Sequence, residues 1–218
     1  MDINHTEVKV DNKQTMKFAY LNPVVVAMDD IPDGTLQSIR VIVDQAHRHP
    51  EHNDAGDPNI SIRGGQQVQL LPNEFNLNID ILKVYIEQQC QEYLEKIIQI
   101  NNRNELIQVK PMLVSAWTLK QGPGDYQVLH SHEAHISGNI YIETPNLDNN
   151  SFTTDGCLEF KLPAVKTPAR FILTDTWRVT PEVGKMVIFP SYLPHTVYPW
   201  RGTGHRTSLA WDVKLVDK

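Results

Sequence analysis

Two histidines one residue apart, His130-Ser131-His132, and a third on Phe189-Pro190-Ser191-Tyr192-Leu193-Pro194-His195 are the side chains best suited to chemistry. Along a β-strand successive side chains alternate faces, so residues i and i+2 point the same way, about 6.6 Å apart. Both rings can therefore reach one metal ion. A third imidazole from a later strand completes three ligands on one side of the ion and leaves the other side open. That facial arrangement suits non-haem iron. The competing reading is two imidazoles facing solvent or each other, and for His195 a cap on a strand end. Context favours ligation. Gly122-Pro123-Gly124 is a turn that delivers a strand to the pair, Ser137 to Ile142 returns as a hairpin, and two prolines hold His195 on stiff backbone.

Arg206-Thr207-Ser208 adds an anion grip. On a strand Arg206 and Ser208 share a face, and a guanidinium fork matches a carboxylate bidentately. An inward arginine needs a counter-charge, which a bound dicarboxylate supplies. An internal salt bridge to Asp212 or Glu159 is the alternative.

The order His-x-His, a Gly-led strand ending Phe-Pro-Ser, a downstream His and then Arg-x-Ser resembles the iron(II)- and 2-oxoglutarate-dependent oxygenases of the double-stranded β-helix fold. Within them it is similar to an oxygenase group known from marine bacteria and phages. The resemblance covers residues 108–214. It implies Fe(II), 2-oxoglutarate as cosubstrate and O2. It also implies hydroxylation of a substrate with release of succinate and CO2. His130, His195, Arg206 and Ser208 match the family motif residue by residue, the last two on the far carboxylate of 2-oxoglutarate. His132 stands where the family usually has an Asp or Glu, and is taken as the third ligand. Glu133 is the substitute if a bulge turns it inward, and His135 is a spare loop imidazole. Tyr126, Asn139 and Tyr141 are candidates for a hydrogen bond to the cosubstrate. Trp117, Tyr192 and the 145–155 loop are candidates for the substrate side, with core packing the stronger expectation for Trp117. The Gly124-to-His130 spacing also resembles the first cupin motif, without its glutamate. A three-histidine cupin-type metalloenzyme using no 2-oxoglutarate, or a non-enzymatic β-sandwich binding module, are the other readings.

The elements that must position these residues are mostly strands. A strand is expected over 18–28 with Pro23 at an edge or bend, then a helix over 33–47 with Leu36, Ile39, Val43 and Ala46 at helical spacing. Residues 49–65 read as a loop. A second helix over 78–100 carries Ile79, Leu82, Ile86, Cys90, Tyr93, Leu94, Ile97 and Ile98 as one stripe. Short β-patterned runs then follow at 108–119, 126–133, 138–144, 156–162, 170–173, 176–180, 185–189, 196–198 and 206–214. The expected fold is mostly β with supporting helices: a double-stranded β-helix (jelly-roll, cupin-like) core with N-terminal helices on one sheet. One domain over 1–218 is expected, with 1–107 as strand and buttress and 108–214 as core.

Composition narrows the partners. With 20 Lys and Arg against 26 Asp and Glu the formal net charge is -6, and no basic stripe is visible, so binding to a nucleic-acid backbone is disfavoured. A small molecule or a protein side chain is the expected substrate. No apolar run approaches the ~20 residues of a membrane span, and the start lacks the pattern of a secretory signal. A cytoplasmic protein is expected, acting in the host cytosol if the gene is a phage's. The 2 cysteines, Cys90 and Cys157, form no disulfide framework. Arg63-Gly64-Gly65 lacks the Lys-Ser/Thr of a phosphate loop.

Overall fold

The computed structural model describes residues 5–10, 14–19, 24–49, 53–54, 61–71, 79–101, 108–162 and 175–218. The chain begins with strands β1 (His5–Val10), β2 (Gln14–Ala19) and β3 (Ala27–Asp30), then helix α1 (Asp33–Ala46). Strands β4 (Ile62–Arg63) and β5 (Gln66–Leu71) lead to helix α2 (Asp80–Asn101). The remainder is β: β6 (Val109–Gln121), β7 (Tyr126–His130), β8 (Ile136–Glu143), β9 (Asn146–Leu147) and β10 (Leu158–Lys161). It closes with β11 (Thr176–Val179), β12 (Lys185–Pro190), β13 (His195–Val197), β14 (Gly202–Thr203) and β15 (Arg206–Asp217).

Two antiparallel sheets face each other, one in the order β3-β12-β8-β15-β6-β5 and one in the order β11-β10-β13-β7-β4. Sequence neighbours repeatedly fall in opposite sheets. This is the interleaved winding of a double-stranded β-helix, as expected. Period-two alternation then sorts each strand of the larger sheet. Leu209, Trp211 and Val213 of β15, and Ile136, Ile140 and Ile142 of β8, face outward. They pack with Leu36, Ile39 and Val43 of α1 and Leu82, Ile86 and Cys90 of α2. The alternate residues of β15 and β8 face the space between the sheets, where Tyr141 packs with Leu158, Phe160, Phe189 and Val197. The helices therefore seal one face of the sheet and leave the other for the site. Among the described residues no helix is long and apolar enough to cross a membrane.

Several elements differ from the sequence expectation. The run 18–28 is divided, with β2 ending at Ala19, β3 starting at Ala27 and residues 20–23 outside the described set. The 49–65 loop contains β4, and β5 follows it unannounced. Glutamines disguise β5: Val68 and Leu70 are buried toward the helices while Gln67 and Gln69 point the other way, so half of its alternation is polar. Gly64 and Gly65, at φ 79 and 73, turn the chain between the two sheets there. A Cβ on Gly65 would stand 2.5 Å from the Lys120 carbonyl oxygen. Strand β7 stops at His130, short of His132, while β13 begins at His195 itself. The 170–173 run lies outside the described residues.

One glycine in the large sheet is fixed by packing. Gly138 pairs with Trp211 across β8 and β15, and a Cβ there would lie 2.2 Å from the indole Cζ2. Trp211 is fully buried against both helices' contacts and has nowhere to retreat. Gly138→Ala should therefore destabilise the protein by about 1–3 kcal/mol, read as a lower urea midpoint at unchanged slope. A midpoint equal to wild type would contradict this packing.

Candidate functional site

Three imidazoles converge between the sheets. His130 ends β7 and His195 begins β13, and the two are directly paired across these antiparallel strands. Their ring centroids lie 4.2 Å apart, with His132 5.2 Å from His130 and 5.1 Å from His195. One ring nitrogen from each lies within 4.8 Å of the others. The hydrogen bonds decide which nitrogen. His130 Nδ1 is 2.7 Å from the Val128 carbonyl and His195 Nδ1 is 2.9 Å from the Leu193 carbonyl. His132 Nδ1 is 2.7 Å from Asp212 Oδ1. Carbonyl and carboxylate oxygens only accept, so each Nδ1 donates its proton and each Nε2 keeps a lone pair. Burial, reinforced at His195 by the neighbouring imidazoles, lowers the pKa of His130 to about 4 and of His195 to about 3. Both are neutral at pH 7, the form that binds metal. The donor set fits a divalent transition-metal ion.

The same cavity carries a buried cation. Arg206 is 2% exposed and donates from one nitrogen to the Gly156 carbonyl at 3.0 Å and from another to Gln121 Oε1. The Trp200 ring lies 5.3 Å from its guanidinium carbon. The two carboxylates that offered an internal salt bridge are engaged elsewhere. Asp212 binds His132, and Glu159 binds Arg178 at 2.5 Å and Lys161 at 3.2 Å. Burial lowers the Arg206 pKa to about 10, which leaves it charged at neutral pH. Among the described residues it has no carboxylate partner, and Gln121 Nε2 beside it is also without one. A charge so placed calls for an anion. Ser208, Asn139 and Tyr141 line the cavity with Arg206 and the imidazoles.

Other expected residues fall elsewhere. Tyr126 is 41% exposed and Tyr192 65% exposed, and neither lines the cavity. Gln127 takes the inward place instead, because the β7–β13 register shifts between His195 and Val197 and brings Gln127 and His130 to one face. Glu133 is exposed and not among the converging ligand atoms, and His135 accepts the Leu215 N–H at 2.8 Å. Trp117 lines the cavity and also a second, open groove on the other side of the cluster, with Ser61, Arg63, Gln67, Gln69, Ser115 and Glu133. The 145–155 loop lines neither space. Strand β9 pairs with β14, and Arg201 binds the Asn150 carbonyl at 2.6 Å and Asp155 at 3.5 Å while lying 4.5 Å from the Phe152 ring centroid. This loop braces the Arg206 end of the barrel.

Residues 115–212 match the model of a family described as Putative 2OG-Fe(II) oxygenase. No curated protein matches the chain by sequence. Among solved structures it is similar to a Pseudomonas putida prolyl-4-hydroxylase at 18% identity, covering 88% of this chain and 93% of that one with a TM-score of 0.52. A viral collagen prolyl hydroxylase of Paramecium bursaria Chlorella virus-1, solved with 2-oxoglutarate, is similar at 15% identity, 86% and 94% coverage and a TM-score of 0.51. The alpha-ketoglutarate-dependent carbocyclase SnoK of nogalamycin biosynthesis is similar at 9% identity, 87% and 79% coverage and a TM-score of 0.59. The resemblance to iron(II)- and 2-oxoglutarate-dependent oxygenases is borne out by these findings. The family match includes the three histidines, Arg206 and Ser208, and the neighbours share the fold.

The buried histidines make stability depend on pH in one direction. His47, whose Nε2 lies 3.1 Å from Thr118 Oγ1, is also lowered to about 4, chiefly by burial. An unfolded histidine titrates near 6.5, so between pH 6.5 and these folded values the unfolded chain binds more protons. Stability is full above 6.5 and is lost as pH falls toward 4 and 3, by up to about 2 kcal/mol per group at pH 5. The melting temperature of metal-free protein should drop steadily from pH 7.5 to 5. A flat profile over that range would contradict the burial of neutral rings.

Proposed function

We propose that the protein is an iron(II)- and 2-oxoglutarate-dependent hydroxylase acting on a polar small molecule or an exposed protein side chain. The observation that carries this is Arg206, a fully buried cation without a carboxylate partner among the described residues, in the same cavity as three convergent imidazoles. His130, His132 and His195 would hold the metal through Nε2. Arg206 and Ser208 would bind the distal carboxylate of 2-oxoglutarate, with Tyr141 and Asn139 lining the path between. When bound, iron with 2-oxoglutarate and O2 supplies the oxidising chemistry that yields succinate, CO2 and a hydroxylated product. The chain's own work is to bind, orient and keep water out. Leu158, Val197 and Ala210 supply the dry wall of the enclosed side.

The open groove across the cluster is the substrate side in this reading. Trp117 is the wall it shares with the cosubstrate cavity, and the amides of Gln67 and Gln69 with the Ser115 hydroxyl make it polar. Two of the three neighbours are prolyl hydroxylases, in keeping with hydroxylation as the outcome.

The test needs no knowledge of the substrate. Purified protein given Fe(II), 2-oxoglutarate and O2 should release succinate slowly, and more slowly without iron. Arg206→Ala should retain metal but weaken 2-oxoglutarate binding by about 30-fold or more, the cost of removing one partner of a buried ion pair. Unchanged 2-oxoglutarate affinity in Arg206→Ala would refute the assignment. Metal binding by the wild type with no 2-oxoglutarate binding would support a three-histidine metalloenzyme that uses no cosubstrate.

A further inference from the structure

We propose that Asp212 is the positioning residue that makes His132 a metal ligand, supplying through the imidazole the negative charge that a directly bound carboxylate gives in relatives. The proposal rests on the three-histidine centre described above. His130 and His195 are each tethered at Nδ1 to the carbonyl two residues earlier in their own segment. His132 is held differently. It lies two residues beyond the end of β7, its N–H donates to the Ser191 carbonyl at 2.9 Å, and its Nδ1 reaches a carboxylate 80 residues further along.

That carboxylate is built in. Asp212 pairs with Ser137 of β8 and Ser115 of β6, at a register shift in the β15–β6 ladder. Ser137 Oγ donates to Asp212 Oδ1 at 2.6 Å and is 2.8 Å from Ser191 Oγ. Ser137 and Ser191 are buried, at 1% and 0% exposed. The carboxylate can only accept, so Ser137 spends its proton there and Ser191 donates to Ser137. The Ser137 hydroxyl thus aims at the oxygen that holds His132, and the Ser191 hydroxyl backs Ser137. Ser191 also holds the His132 backbone, since its carbonyl accepts the His132 N–H.

A ring whose Nδ1–H faces a carboxylate presents Nε2 as a more basic donor, and loss of such an outer partner weakens metal binding by about 10–100-fold. A centre of three imidazoles and this carboxylate carries the same formal charge as two imidazoles and a ligating carboxylate. The departure of His132 from the family motif is then a relocation of charge from the metal to the next strand.

The test is a two-background titration with Mn(II), read as the dissociation constant of the cation alone. In otherwise wild-type protein Asp212→Asn should weaken Mn(II) binding by about 10–100-fold. In the His132→Asp background, where the ligand carries its own charge, Asp212→Asn should leave affinity within threefold or tighten it. Equal weakening in both backgrounds, or an Asp212→Asn affinity within threefold of wild type, would overturn the proposal and leave Asp212 a structural residue. Should His132→Asp not fold, Ser137→Ala decides: it should weaken Mn(II) several-fold in folded protein, and an unchanged constant would count against the steering role. Absence of a saturable Mn(II) site in the wild type would remove the three-histidine centre itself and this proposal with it.

Discussion

The tethering of three imidazoles by their Nδ1 protons is the constraint on which the site depends. Free rings would flip and present either nitrogen; a ring whose Nδ1–H is committed presents Nε2 alone. At His130 and His195 the acceptor is the local backbone, so strand geometry itself sets the orientation. Cross-strand pairing of these two residues then fixes their separation. The third ring lacks that support and borrows it from β15. Because Asp212, Ser208 and Arg206 share one face of β15, one strand serves both ends of the cavity. Its other face carries Leu209, Trp211 and Val213 into the helices, so the packing core and the site are held by the same backbone.

The two ends of the cavity are opposite in character. At one, burial keeps the His130 and His195 imidazoles unprotonated. At the other, a guanidinium is kept charged and has no carboxylate partner among the described residues. Burying a cation in this way is costly unless an anion joins it. The 145–155 segment contributes by bracing that end, through Arg201, Asp155 and the Gly156 carbonyl.

Much of the architecture was legible in the sequence because apolar spacing reports burial directly. The stripes of α1 and α2 and the long β6, β8, β12 and β15 follow from it. The histidines and Arg206 were legible because their residue types are costly to bury without a task. Gln127 was not, since a register shift that reverses one strand's facing leaves no trace in residue types. Strands β4 and β5 were hidden by glycines that turn between sheets and by glutamines that line a polar groove. Asp212 was half legible. Alternation puts it on the face of Arg206 and Ser208, and only the fold shows that it serves His132 rather than the arginine.

The most direct measurement is a crystal structure of the protein grown anaerobically with Mn(II) and 2-oxoglutarate. One ion should be bound by the Nε2 atoms of His130, His132 and His195, with the acid extending from it to the Arg206 guanidinium. An ion held by other atoms, or a 2-oxoglutarate molecule that does not touch Arg206, would contradict it.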